Sequence, residues 1–492
     1  MGYYPLMDFQ KALRPGAAVY FAGIKGTGMC ALAELMCNSG VRVSGSDISE
    51  VFYTDAILRE LGIPYYESFE AEHIRGPIDL VIHSAAYAPE TNVELAEAVK
   101  QGLPVMKYTD ALGAYSAGFD AAGITGVHGK TTTTALAGTL IRGAGLPAQI
   151  LVGSAVAGFN GRSTLTLGNK YFIAETCEYR RHFLSFHPKH IVLTAVESDH
   201  QDYFPTYESI RDAFAEYCRL LPAGGELIYC ADDPGACEVA EIIAKENRGL
   251  RFVPYGFSAP GDFGVTAFEV QHERTRMSLR GFPGEWRIQV PGRHTALDAA
   301  AALALTSSLV KTEFGNEGGE GGWTGTRREN VRKALEDFRG SKRRSEILGE
   351  AGGILFMDDY GHHPTAIRTT LEGLKDFYPR RRLVVSFMSH TYTRTAALLD
   401  EFAASFEKAD LVFLHKIYAS AREVYHGGVT GKTLYEKTKA LGGEVYYVDE
   451  PQDAAEPLKK ILRAGDLFLT LGAGSNWPLG ETLFQYFKGR AP

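Results

Sequence analysis

Cysteine is scarce in this chain. Its 492 residues hold six (Cys30, Cys37, Cys177, Cys218, Cys230 and Cys237) with no Cys-x-x-Cys pair, which argues against a disulfide framework and leaves most of the thiols to be read as small buried hydrophobes. Excess positive charge is missing too: the formal net charge is −8, and basic runs such as Arg380-Arg381-Arg382 are short. Without a basic patch there is no electrostatic footprint for nucleic acid, although a small anionic ligand held by a few placed cations fits. No uninterrupted apolar stretch approaches the ~20 residues that cross a bilayer. The opening Met-Gly-Tyr-Tyr-Pro-Leu has neither the basic nor the apolar region of a signal peptide. The chain is therefore expected in the cytoplasm, with neither membrane nor nucleic acid as a partner. No short-period repeat is visible.

What is present is length and apolar content. At 45% apolar, 492 residues exceed what one core serves, and roughly two to four domains are expected. Ala18-Val19-Tyr20-Phe21-Ala22 reads as a strand, residues 23–28 as a glycine turn, residues 29–39 as a helix, and residues 41–47 as a second strand ending in Asp47. A strand–helix–strand unit with a carboxylate about 20 residues past the loop is the layout of a nucleotide-binding half. Further strands at residues 79–84 and 104–106 complete a first domain over residues 1–115. A second domain, residues 116–337, opens at Ala121-Ala122-Gly123-Ile124-Thr125 and continues with strands at residues 171–174 and 190–194; strands alternating with helices imply a mostly parallel sheet. Residues 313–325, Glu-Phe-Gly-Asn-Glu-Gly-Gly-Glu-Gly-Gly-Trp-Thr-Gly, are too rich in glycine to hold a packed element and read as a flexible surface insertion. The third domain, residues 338–492, has candidate strands at residues 353–359, 383–387, 411–414 and 467–471. The expected fold is α/β in three domains: a Rossmann-like first, a central P-loop ATPase-like domain, and a Rossmann-like third.

The sharpest local signal is Gly126-Val127-His128-Gly129-Lys130-Thr131-Thr132-Thr133, between a strand and a helix. Backbone N–H groups at a helix start, with one lysine, cradle phosphates, and the hydroxyl after the lysine is placed to hold Mg2+. The general Walker pattern is incomplete, since Ile124 stands where its first glycine belongs. Glu175-Thr176-Cys177-Glu178-Tyr179 and Glu197-Ser198-Asp199-His200-Gln201-Asp202 follow later strands, at the carboxyl ends where open α/β sheets place ligands. Alone, each reads as a solvated loop; beside a phosphate loop, their acids and imidazole become candidate cation ligands. In the third domain Asp358-Asp359-Tyr360-Gly361-His362-His363-Pro364 and Ser389-His390-Thr391-Tyr392-Thr393-Arg394-Thr395 end neighbouring strands as two polar loops.

Gly23-Ile24-Lys25-Gly26-Thr27-Gly28-Met29, the loop 126–133, residues 197–200, Pro291-Gly292-Arg293-His294, Phe338-Arg339-Gly340 with Arg343-Arg344, residues 358–364, residues 390–395, and Ile417-Tyr418-Ala419 with Ala421-Arg422-Glu423 follow one another along nearly the whole chain. This order resembles the Mur ligase family, in particular its alanine-adding members. The resemblance implies an ATP-dependent ligase that forms an amide between the lactyl carboxylate of UDP-N-acetylmuramate and L-alanine through an acyl phosphate, in peptidoglycan precursor synthesis, as a monomer or homodimer. It implies that Gly23, Gly26, Thr27, Gly28, Asp47 and Ser84 bind the UDP substrate. Gly126, His128, Gly129, Lys130, Thr131 and Thr132, with His294, Asp298, Arg344 and Asp359, would bind ATP. Thr131, Glu178 and His200 would hold Mg2+, or Mn2+ in its place. Tyr360, His390 and Arg394 would line the amino acid, and Lys130, Glu178, His200, His363 and Arg394 would carry the chemistry.

The chain departs from the family pattern at several points. His294-Thr295-Ala296-Leu297-Asp298 stands for His-Asn-x-x-Asn, and Cys177-Glu178-Tyr179-Arg180 for Asp-Glu-Ser-Asp; Ala195 replaces an asparagine and Thr391 an arginine. These positions gather round the metal and the acceptor, which leaves the acceptor amine open. The Glu178-Tyr179 pair resembles the murein-tripeptide recycling ligase of the same family, and a noncatalytic UDP-sugar-binding homologue is a further reading. No lysine falls between Lys189 and Lys245, so the carbamylated lysine of later family members has no candidate here.

Overall fold

Short runs rich in β-branched and aromatic residues set many of the strands of this protein. The computed structural model describes residue 9 and residues 13–271, 273–315, 320–419, 423, 425 and 427–489. The chain gathers into two compact units. Met1–Val196, Arg211–Tyr255 and Ala301–Ala334 form the first; Glu197–Ile210, Gly256–Ala300 and Leu335–Pro492 form the second. Among the described residues no helix is long and apolar enough to cross a membrane.

The first unit holds two sheets. Strands β1 (Ala18–Ala22), β2 (Arg42–Ser46), β3 (Tyr65–Tyr66), β4 (Leu80–His83) and β5 (Val105–Lys107) pair in parallel in the order β3-β2-β1-β4-β5. The direction of winding reverses between β1 and β4, and such a switch point opens a crevice at the carboxyl ends of the strands. Helix Thr27–Asn38 starts there, and its unbroken buried run from Met29 to Met36 shows that it is covered on every side. Part of that cover comes from the second sheet, whose Arg162 pairs with the buried Glu34 and, at 2.8 Å, with Glu60.

That second sheet comprises β6 (Asp120–Thr125), β7 (Ala148–Val156), β8 (Arg162–Thr166), β9 (Tyr171–Glu175), β10 (His190–Leu193), β11 (Glu226–Cys230) and β12 (Arg251–Tyr255), in the order β12-β11-β10-β6-β9-β7-β8. Only β8 runs antiparallel. Strand β6 lies at the centre, so the loop that leaves it is flanked by the ends of β9 and β10.

The second unit holds an antiparallel sheet of β13 (Val265–Val270), β14 (Thr275–Leu279) and β15 (Phe282–Ile288), a meander that the sequence reading did not anticipate. Its signal was there in the alternation of Thr275, Met277 and Leu279 toward the core, with a two-residue turn at Arg280-Gly281. The larger sheet has β16 (Glu346–Ala351), β17 (Ile354–Asp359), β18 (Arg382–Phe387), β19 (Leu411–Leu414), β20 (Val445–Tyr447) and β21 (Asp466–Leu471), ordered β16-β17-β21-β18-β19-β20 with only β16 antiparallel. Leu355, Met357, Leu467 and Leu469 enter the core on one face, while Ile354, Phe356 and Phe468 enter the core on the other. Burial on both faces is why these strands read as continuous apolar runs.

Two sequence expectations are corrected. Residues 313–325 are not a free insertion throughout. Helix Arg293–Phe314 runs into the segment, Glu313 accepts from the Tyr171 hydroxyl at 2.8 Å, and Trp323 is buried, its indole N–H reaching the Ser307 hydroxyl at 3.2 Å. Burying one indole offsets the entropy that its glycine neighbours lose. Residues 316–319 lie outside the described residues, as do Ala421 and Arg422. Of the cysteines, only Cys30, Cys218 and Cys230 are buried, and Cys177 is exposed because it follows β9 in a loop.

A pH response is built into the second unit. The buried His415, just after β19, donates from Nδ1 to the Val448 carbonyl at 2.7 Å and accepts the Ser386 hydroxyl at 2.8 Å. Burial holds its pKa down to about 4, from an ordinary 6.5. As pH falls below 6.5 the unfolded chain takes up a proton that the folded imidazole refuses, so this group costs stability until about pH 4 and no further. His415→Gln is expected to flatten that stretch of the stability curve in urea unfolding. An unchanged slope in the variant would assign the response to another group.

Candidate active site

The candidate phosphate loop turns at Gly126 (φ 135°) and Gly129 (φ 79°), backbone conformations that favour glycine. At Gly126 the space is closed as well, since a Cβ would lie 2.1 Å from the Thr194 hydroxyl beyond β10. The Val127 N–H donates to the Ala195 carbonyl at 2.9 Å and ties the loop to that strand exit. Helix Lys130–Ala144 then starts with Gly129 at its N-cap and no side chain capping it, the arrangement in which a helix start receives an anion. His128 and Thr132 are half-buried on either side of that start.

Four side chains converge there. The Lys130 ammonium donates to the Gly126 carbonyl at 2.5 Å and to Glu178 at 2.9 Å, and the Thr131 hydroxyl donates to Glu175, the last residue of β9, at 2.8 Å. Glu178 is 2% exposed and Lys130 18%. Burial is the strongest influence on Lys130 and acts to lower its pKa, but the negative charge of Glu178, with Cys177 and Glu175 behind it, holds the ammonium above its ordinary range. The lysine therefore stays charged at neutral pH.

In the first sheet, β1 exits into Gly23 (φ 90°), where a Cβ would lie 3.0 Å from that of Ser84 and 2.8 Å from the Tyr87 ring. Gly26 is the N-cap of helix Thr27–Asn38, and the Thr27 hydroxyl accepts from Tyr53 at 3.1 Å. Asp47, expected to face the nucleotide, accepts from the Lys25 and Ile48 N–H groups at 2.7 and 2.8 Å, so it braces the two loops. Ser84 likewise accepts locally, from the Ala86 N–H at 3.3 Å.

Lys25 was given no role from sequence. It is 1% exposed, and its ammonium reaches Glu67 at 2.9 Å, Asp55 at 3.1 Å and the Ile48 and Glu50 carbonyls at 3.0 and 3.1 Å. A lysine within a glycine loop is here spent on holding the β2 exit in place. Its carboxylate partners lie far along the chain, and no local pattern marks them.

In the second unit, Asp199 and Arg394 are each 4% exposed. Nε and Nη2 of Arg394 both reach Asp199 Oδ1 at 2.8 Å, while Nη1 donates to the His390 carbonyl at 2.6 Å. Asp199 also accepts the His200 N–H at 2.6 Å, and His200 takes a left-handed φ of 53°. Burial, the strongest influence, acts to raise the Asp199 pKa, but Arg394 outweighs it and holds the carboxyl well below the usual range. Arg394 is thus turned onto Asp199 instead of standing open. Together with His200, Asp202, His390, Thr393 and Glu423 it lines a small polar cleft. Glu423, quoted from sequence without a role, accepts the Tyr392 N–H at 2.7 Å at the start of helix Tyr392–Ala397.

The neighbouring loop is also shaped by its own polar groups. Asp359 accepts the Ser345 and Gly361 N–H groups at 2.7 Å each, and the guanidinium groups of Arg343 and Arg344 lie 5.1 Å from the Tyr360 ring centroid. His363 caps helix Pro364–Phe377, its Nδ1 accepting the Thr365 N–H at 3.3 Å. His362 donates from Nδ1 to the Tyr360 carbonyl at 2.9 Å, and burial followed by the Arg394 charge keeps its imidazole neutral. His390 stacks near Tyr418 at 5.8 Å. At the start of helix Arg293–Phe314, a Cβ on Gly292 would meet the His294 ring, Asp298 is buried, and Thr295 turns its hydroxyl back to the Pro291 carbonyl at 2.9 Å.

Three family models match the chain in order: the Mur ligase family catalytic domain over residues 18–120, the Mur ligase middle domain over residues 124–306, and the Mur ligase glutamate ligase domain over residues 343–474. The chain belongs to the Mur ligase family. The UDP-N-acetylmuramate--L-alanine ligase of Treponema pallidum (strain Nichols) is 54% identical over 473 residues, covering 96% of this Mur ligase and 97% of the relative. The enzyme of the same name from Desulfitobacterium hafniense (strain Y51) is 35% identical over 469 residues, covering 94% and 99%. Among solved structures, the UDP-N-acetylmuramate-alanine ligase of Thermotoga maritima superposes with a TM-score of 0.75 at 25% identity, over 96% of this chain and 99% of that one. A murein peptide ligase from Psychrobacter arcticus shares the fold, with a TM-score of 0.64 at 22% identity over 97% and 100%.

Proposed function

We infer that this Mur ligase uses ATP to join the lactyl carboxylate of UDP-N-acetylmuramate to L-alanine through an acyl phosphate, in peptidoglycan precursor synthesis. The observation that carries this is the 54% identity to an alanine ligase across 96% of the chain. The recycling-ligase reading is not favoured, because the likeness to a murein peptide ligase, at 22% identity, extends to the fold alone. Lys130, Thr131, Glu175 and Glu178 stand together at one helix start, which speaks against a noncatalytic homologue. The setting is taken to be cytoplasmic, and the acting form a monomer or homodimer.

The chemistry requires two anions, a triphosphate and a carboxylate, to meet. Lys130 is placed to exchange Glu178 for a phosphate oxygen and to offset the charge on the group in flight. The uncapped helix start would take a second phosphate oxygen through backbone N–H groups. The first sheet would hold the UDP-sugar at Gly23, Gly26, Thr27 and Gly28, with Asp47 and Ser84 fixing the flanking loops. In the second unit the cleft at His200, His390 and Arg394 would receive the amino acid, beside Tyr360. His294, Asp298, Arg344 and Asp359 are assigned to the ATP side, and His363, held at the cap of its helix, to the chemistry.

The donor set fits a hard divalent cation: a hydroxyl and a carboxylate 2.8 Å apart, with a second, buried carboxylate beside them. Mg2+ held by Thr131 and Glu178 would cancel phosphate charge. Glu178→Gln is expected to raise the Mg2+ concentration for half-maximal activity roughly tenfold or more. An unchanged Mg2+ titration would leave Glu178 as no more than the counter-ion of Lys130. The function itself is tested by ADP release with UDP-N-acetylmuramate, ATP and a panel of amino acids and short peptides. Release that depends on L-alanine supports it, and preference for a peptide overturns it.

A further inference from the structure

Tyr108 is the first residue of helix Tyr108–Ser116 and follows β5 directly, so it stands at the carboxyl edge of the first sheet, with Gly23 and Ser84. A Cβ on Gly28 would lie 2.7 Å from both its Cζ and its hydroxyl oxygen. The hydroxyl end of the ring, rather than its face, therefore lies over the glycine loop. The same phenol has Glu175 and Cys177 as electrostatic neighbours, and Glu175 is the acid to which Thr131 donates at the phosphate loop. The phenol thus lies against the start of helix Thr27–Asn38 and feels the charge of the acid at the start of Lys130–Ala144.

Among the described residues the Tyr108 hydroxyl makes no hydrogen bond. Tyr20, Tyr53, Tyr65 and Tyr115 of the same unit all do. A half-buried phenol that donates to no protein group, standing over a glycine loop at the carboxyl edge of a parallel sheet, is available to donate to a ligand oxygen. We propose that Tyr108 is a substrate-positioning residue whose hydroxyl donates to an anionic oxygen of the UDP-sugar, on the pyrophosphate or on the reacting carboxylate, and so fixes that substrate against the phosphate loop. This rests on the first sheet binding the UDP-sugar. Burial, reinforced by Glu175 and then Cys177, raises the phenol's pKa above its ordinary value, so the proton is retained at neutral pH.

Tyr108→Phe keeps the ring over Gly28 and removes only the oxygen. UDP binding by calorimetry, thermal unfolding, and kinetics with UDP-N-acetylmuramate and ATP varied in turn test the proposal. The variant is expected to unfold at the parent's temperature, to keep its KM for ATP, and to lose about tenfold in kcat/KM for the UDP-sugar. A matching loss of UDP affinity would place the hydrogen bond on the pyrophosphate; unchanged UDP affinity would place it on the carboxylate. A variant equal to the parent in every measurement overturns the proposal, as does an equal loss for both substrates with a lowered unfolding temperature. A parent that turns over but does not bind UDP removes the first-sheet reading and the proposal with it.

Discussion

Lys130→Ala is expected to lower kcat by about 100-fold or more, because the ammonium offsets charge that develops only during transfer. The same change also costs stability. Glu178, 2% exposed, loses the ammonium it pairs with, and removing one member of a buried ion pair costs up to about 3–5 kcal/mol. The loss here should be smaller, since Lys130 keeps 18% of its side chain in contact with solvent. The double variant Lys130→Ala/Glu178→Gln separates the two effects: denaturant unfolding should return toward the parent while turnover stays low. Recovery of turnover in the double variant, or near-normal turnover in the single one, would remove Lys130 from the chemistry.

For Arg394→Ala two losses are expected together. Asp199 would be stranded with its charge at 5% exposure, which costs on the order of 3–5 kcal/mol, and the cleft beside His200 and His390 would lose the group that shapes it. Activity measurements should show a raised KM for L-alanine with the KM values for ATP and UDP-N-acetylmuramate little changed. Adding Asp199→Asn should restore part of the stability, because the two side chains form one ion pair and their effects are not additive. It should leave the alanine KM high. If the single variant keeps the parent's alanine KM, the cleft does not receive the acceptor.

The sequence by itself determined a great deal about this protein. The runs at Ala18–Ala22, Ile354–Asp359 and Asp466–Leu471 were legible as strands because segments buried on both faces are largely apolar, and the loop at 126–133 declared itself through glycines and a lysine before a helix. The family order of the motifs was equally legible, because each is a short local string. Half-exposed and edge elements left weaker marks. The hairpins of β13–β15 carry only alternation, and β16 meets its neighbour antiparallel at the sheet edge.

Partnership was decided only by the tertiary structure. Nothing in the string 197–202 says that Asp199 meets Arg394, or in the glycine loop that Lys25 is spent on Asp55 and Glu67. Tyr108 shows its hydroxyl to Gly28 only once β5 and the first helix are folded side by side. A sequence fixes which side chains can ionise or donate. Burial and distance then decide which of them are satisfied within the protein and which are left for a ligand.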